Sequence, residues 1–164
     1  NLDEELTVYE NLLIYGRYYG LSRKVINDRI DELLVFAQLD ERRKSKVEPL
    51  SGGMKRRLTI ARGLINTPEM MILDEPTTGL DPIMADVISD LIVSSVKDLG
   101  ATTLSITHDI ASARKIADRI AMIHEGRIIW EGPVSQLDDS GSPYVDQFIN
   151  GRAEGPIQMQ VLRP

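Results

Sequence analysis

Apolar residues recur along this chain with two periods, and the switches between them mark the elements. From Ser22 to about Gln38, Ile26, Ile30, Leu33, Leu34 and Ala37 follow the 3.6-residue period of a helix with one buried face. A helix before it starts at a capping box, Thr7-Val8-Tyr9-Glu10, and runs to about Tyr19, where Gly20 stops it. A third helix opens at Ser51. Leu58, Ala61, Leu64 and Ile65 form its apolar face, Lys55, Arg56, Arg57 and Arg62 take polar positions, and Asn66-Thr67-Pro68 ends it. Met70-Met71-Ile72-Leu73 breaks the helical period and reads as a parallel strand covered on both faces. Pro82 suits the first turn of the next helix, which runs to about Asp98 and stops at Gly100. Thr102 to Ile106 is a β-branched strand, and a short helix covers Ile110 to Ala117. Two strands, Ile120 to Ile123 and Arg127 to Trp130, flank a Glu125-Gly126 turn. The rest reads as a helical turn from Pro133 to Leu137, a loop to Pro143, a short helix from Tyr144 to Ile149 and an extended tail from Gly151 to Pro164. Helices alternating with strands predict an α/β fold with a parallel sheet.

Composition narrows the classes. The chain has 164 residues, enough for one domain burying about 70% of its unfolded surface. It is 42% apolar and 27% charged, as expected of a globular protein. No apolar run approaches the roughly 20 residues of a membrane span. The absence of cysteine excludes disulfides and thiolate metal sites. A net charge of −6 argues against nucleic acid as the main partner, and the basic run Arg42, Arg43, Lys44 and Lys46 reads as solvated surface. Four of the five tyrosines (Tyr9, Tyr15, Tyr18 and Tyr19) fall in the first helix. They serve either its packing or a docking surface, where tyrosine is enriched.

Two stretches carry candidate chemistry. In Leu50-Ser51-Gly52-Gly53-Met54, Ser51 is a good N-cap, and two glycines let backbone N–H groups approach a ligand closely. A helix N-terminus with free N–H groups suits an anion such as a phosphate. Asp74-Glu75 places adjacent carboxylates at the carboxyl end of a buried strand, where α/β sheets bind ligands.

These stretches, taken with Gly79-Leu80-Asp81 and Thr107-His108-Asp109, resemble the nucleotide-binding subunit of an ABC transporter. LSGGM matches the signature loop, MMILDE the Walker B strand with its catalytic glutamate, GLD the D-loop, and His108 the switch histidine. The resemblance implies a P-loop NTPase (RecA-like) sheet with an α-helical subdomain. About 7–66 would form the helical subdomain and signature helix, 67–137 the later part of the catalytic α/β core, and 138–164 a C-terminal extension. It implies ATP and Mg²⁺ as ligands. Asp74 would hold the metal through water, Glu75 would orient or deprotonate the attacking water, and His108 would reach the γ-phosphate. Ser51, Gly52, Gly53 and Asp81 would face ATP held by a second, head-to-tail ATP-binding subunit. His124 has no such context and reads as structural. Transmembrane permease subunits are the implied partners, at the cytoplasmic face of the inner membrane, with no nucleic acid.

The phosphate cradle of such proteins, G-x-x-x-x-G-K-[ST], is not found in these 164 residues, since none of the 12 glycines is followed by lysine. The resemblance thus covers the later part of a complete subunit, and the expectation is that this chain hydrolyses no ATP alone. Up to Pro82 the sequence is most similar to ATPases of nodulation-factor and drug exporters. From Ile83 it resembles the ATPase of MCE-type lipid transporters that maintain outer-membrane asymmetry, so the chain reads as a chimera joined at DEPTTGLDP. Both relatives imply an amphipathic or lipid-like cargo. By the second resemblance the tail from Tyr144 is an interaction element, reaching a neighbouring or accessory subunit, rather than core. Two other classes remain open: a non-transport ABC ATPase, and a non-catalytic fragment that offers its signature face to a partner.

Overall fold

A computed structural model describes residues 1–158. The chain divides into two compact units, Asn1–Lys115 and Ile116–Pro164. In the first, α1 (Val8–Tyr18), α2 (Arg23–Phe36) and α3 (Gly52–Gly63) pack on one another. The capping box forms in full: Thr7 accepts from the Glu10 N–H, and the Glu10 carboxylate accepts from the Thr7 N–H at 2.8 Å. The Thr7 N–H, and then the Thr7 hydroxyl, which also donates to that carboxylate, hold the Glu10 carboxyl below its usual range. Ser22 and Ser51 cap α2 and α3 as their positions predict. Ile26, Ile30, Leu34, Ala37, Leu58 and Ala61 are fully buried, so each apolar stripe faces the three-helix core.

The segment Asp40 to Lys46 is more than a solvated turn. It begins with a 3₁₀ turn, its carbonyls at Arg43 and Ser45 accept from the N–H groups of Tyr9 and Val8, and Arg43 pairs with Asp31 at 2.5 Å. These bonds occupy the N–H groups left over at the start of α1. The tyrosines of α1 are packed in part. Tyr15 makes edge contacts with Tyr18 and Tyr19 and lies under the Arg62 guanidinium, 4.6 Å from the ring centre, yet Tyr18 is 80% exposed.

β1 (Met70–Asp74) is followed by α4 (Pro82–Leu99), β2 (Thr102–Ile106) and α5 (Ile110–Ile116). The strands are parallel, with Met70 opposite Thr102 and Asp74 opposite Ile106. Gly100 ends α4 in the left-handed conformation, where a side chain would be strained. The expectation that β1 is covered on both faces is overturned. Met71 turns in beneath the end of α3, but Met70 and Ile72 are 58% and 67% exposed, as are Leu104 and Ile106 at 53% and 55%. The apolar run is therefore a two-sided strand of which this unit covers one side.

In the second unit, β3 (Arg119–His124) and β4 (Arg127–Pro133) form an antiparallel hairpin, with a register shift between Met122 and Ile123. Glu125 and Gly126 both have positive φ, 48° and 74°, as a tight two-residue hairpin turn requires. Among the described residues the strands make two separate two-stranded sheets. α6 (Pro143–Ile149) buries Val145 and Gln147, and Tyr144 lies against His124, their rings 5.4 Å apart. The segment from Tyr144 is therefore not free of the core. Nor is the described part of the tail extended. The Gln147 amide accepts from the Ile157 N–H at 2.7 Å and donates to the carbonyls of Ile157 and Arg152, folding 152–157 back on α6. Residues 159–164 lie outside the described part.

Candidate functional site

The parallel pairing of β1 and β2 brings their carboxyl ends side by side, and that sets the site. Glu75 follows β1, and its N–H donates to the Ile106 carbonyl at 2.8 Å. Thr107 and His108 follow β2 and so lie beside it. The Glu75 Oε1 and His108 Nδ1 atoms are 2.9 Å apart. Glu75 Oε2 accepts from Thr78 Oγ1 at 2.8 Å and from Thr107 Oγ1 at 3.2 Å. The bond from His108, then that from Thr78, holds the Glu75 carboxyl below its usual range. The carboxylate in turn raises the His108 imidazole above its ordinary value. The His108 side chain is 69% exposed and Glu75 34%, so the pair sits at the rim, open to a ligand.

Glu75 has φ 46°, a left-handed conformation rare outside glycine and a form of strain concentrated at functional sites. Its carbonyl accepts from Arg56 Nη2 of α3 at 3.0 Å and from the Thr78 N–H at 3.3 Å. A second network lies just below. Ser112 donates to Asp109 at 2.6 Å, its Oγ lies 3.2 Å from Thr77 Oγ1, and the Thr77 hydroxyl reaches Asp109 at 3.4 Å. The Ser112 bond leads in lowering the Asp109 carboxyl. Thr77 and Ser112 are buried, so this network fixes the loop after Glu75 to the start of α5.

Of the residues expected from sequence, Asp74, Glu75 and His108 converge at the strand ends. The Asp74 carboxylate is exposed there. No group of three or more metal-ligating side chains exists among the described residues. Asp81 caps α4, accepting from the N–H groups of Ile83 and Met84 at 3.0 Å. Ser51 caps α3, accepting from the Met54 N–H at 3.3 Å. The two glycines differ. Gly52 is exposed with only Leu80 near, whereas Gly53 is buried, and a Cβ there would collide with the terminal methyl of Met84. Gly53 is thus also a packing glycine between α3 and α4. Thr78, Thr107 and Arg56 hold Glu75, a role that the sequence did not assign to any of them. Only Thr107 carries a legible signal of position, since it directly follows β2.

Residues 1–78 match the family described as ABC transporter. The Nod factor export ATP-binding protein I of Neorhizobium galegae is 46% identical over 150 residues, covering 90% of this chain and 43% of the relative. That of Rhizobium sp. (strain N33) is 46% identical over 165 residues, covering 100% of this chain and 53% of the relative. The chain spans about half the length of the curated relatives it matches. Two solved structures are also similar. One is a dimeric ATP-binding cassette in a post-hydrolysis state bound to ADP and Pi, at 31% identity and TM-score 0.69, covering 82% of this chain and 59% of that one. The other is the ADP conformation of an ATP-binding cassette of an ABC transporter, at 28% identity and TM-score 0.74, covering 90% and 64%. The fold is that of these cassettes: mixed α/β with a parallel strand pair and a helical subdomain. Among the described residues no helix is long and apolar enough to cross a membrane.

Proposed function

We propose that this chain, which carries ABC transporter ATP-binding sequence in a cassette fold, serves in an ATP-hydrolysing subunit that drives a transporter. The observation that carries the reading is the Glu75–His108 pair at the joined ends of β1 and β2. Phosphoryl transfer to water requires a positioned water and stabilised charge. Glu75 stays ionised, so its carboxylate orients the attacking water and takes up its proton. With Nδ1 on Glu75, His108 Nε2 is the ring nitrogen left to meet a γ-phosphate oxygen. Asp74 would hold Mg²⁺ through water, and the ion, when bound, offsets phosphate charge.

Ser51, Gly52 and Gly53 at the start of α3, with Asp81, face the ATP of a second subunit docked head to tail. The similar cassette that is dimeric and bound to ADP and Pi supports pairing of two such subunits. Permease subunits in the inner membrane complete the transporter, with this chain at its cytoplasmic face. The Nod factor export relatives favour an amphipathic or lipid-like cargo. Without a glycine-lysine cradle these 164 residues alone turn over no ATP. The test is Glu75→Gln in the full-length subunit: ATP binding should persist while hydrolysis falls by ~10²–10⁴-fold. Near-normal turnover would remove Glu75 as the base.

A further inference from the structure

We propose that Arg56 is a positioning residue, coupling the start of α3 to the carboxylate of Glu75 in the same chain. The inference rests on the reading of Glu75 as the base. Glu75 is held at both ends. Its carboxylate takes bonds from Thr78, Thr107 and His108, all in the loops at the strand ends. Its carbonyl takes one bond from Thr78 of its own loop and one from Arg56. Of these partners, Arg56 alone belongs to a helix.

The carbonyl matters because Glu75 sits at φ 46°. A residue in that sparsely populated region keeps its conformation only while its surroundings over-determine it. Without Arg56 the carbonyl keeps only the 3.3 Å bond from the Thr78 N–H, so the peptide between Glu75 and Pro76 is freer to turn and to shift the carboxylate. The same helix meets the loop again further on. Gly52 faces Leu80, and Gly53 is closed off by Met84. A shift of the start of α3 is therefore passed to both ends of the segment from Glu75 to Met84.

Ser51 lies five residues before Arg56, roughly 7.5 Å along the helix axis. In the proposed dimer, Ser51 touches the nucleotide of the second subunit while Arg56 touches the base for the chain's own nucleotide. One helix thus reads one site and sets the other.

The experiment uses the full-length subunit carrying Arg56→Ala, Arg56→Lys and Glu75→Gln. Arg56→Ala should lower kcat by about ten- to a hundredfold, the value of a hydrogen bond from a charged donor, with KM and ATP-dependent dimerisation nearly unchanged. Arg56→Lys, which restores a donor, should recover most of the loss. Arg56→Ala added to Glu75→Gln should lower the rate no further. An active wild type with normal kcat in Arg56→Ala overturns the coupling and leaves the reading of Glu75 intact. Equal losses in the Ala and Lys variants, with a fall in melting temperature, reduce Arg56 to a structural residue and also overturn it. A wild type that Glu75→Gln does not slow overturns both.

Discussion

Gly16 lies inside α1, where alanine would ordinarily be the better residue by about 0.5–1 kcal/mol. The structure reverses that preference. A Cβ at Gly16 would lie 2.9 Å from Cγ1, 3.2 Å from Cδ1 and 3.3 Å from Cγ2 of Ile26, which is fully buried in α2. Carbon atoms rest at about 3.5–4.0 Å, so α1 and α2 must part by roughly half an ångström. Ile26 is β-branched, with little rotamer freedom in a helix, and cannot swing aside. Overpacking of this kind costs about 1–3 kcal/mol. Set against the helix preference, Gly16→Ala should destabilise the chain by roughly 0.5–2 kcal/mol. Ile26→Val leaves the 2.9 Å clash with Cγ1 in place and should not relieve it. Ile26→Ala, costing about 2–5 kcal/mol alone, removes all three clashing atoms. The double variant should therefore be less damaged than the sum by about 1 kcal/mol or more. Urea unfolding followed by far-UV circular dichroism measures all four chains. A Gly16→Ala chain that gains 0.5–1 kcal/mol, or a strictly additive double variant, would refute close packing of α1 on α2.

Two further outcomes follow from the geometry. Glu75 is held below the carboxylate range and contributes stability that is lost as pH falls through its lowered value; His108 is raised, and its contribution is lost as pH rises through that value. The pair is fully formed at about pH 5–6, between the two ordinary values. In an NMR titration His108 should lose its raised pKa in Glu75→Gln, and an unchanged titration would show that Glu75 is not its partner. Gln147→Ala should free 152–157 from α6 and speed hydrogen exchange of the Ile157 N–H; unaltered exchange there would mean that other contacts hold the tail.

The sequence by itself determined the elements and their ends. Thr7, Ser22, Ser51, Asp81 and Gly100 cap or close helices through bonds made within a few residues, so their roles are local and legible. The helical stripes around Ile26 and Leu58 were legible for the same reason, since periodicity names the buried face without naming its partner. The Asp-Glu pair, the histidine and the order of the motifs likewise pointed to phosphate chemistry. Tertiary structure alone decided which oxygen of Glu75 meets which donor, because Thr107 and His108 stand 32 and 33 residues away and reach it only through the parallel register of β1 and β2. It also decided that Gly53 is closed off by Met84 and that Gln147 folds the tail back, both set by side chains that no local pattern couples. The exposure of Met70 and Ile72 was hidden for a related reason. An apolar run states that a strand can be buried on two faces, while the packing around it decides how many faces are covered.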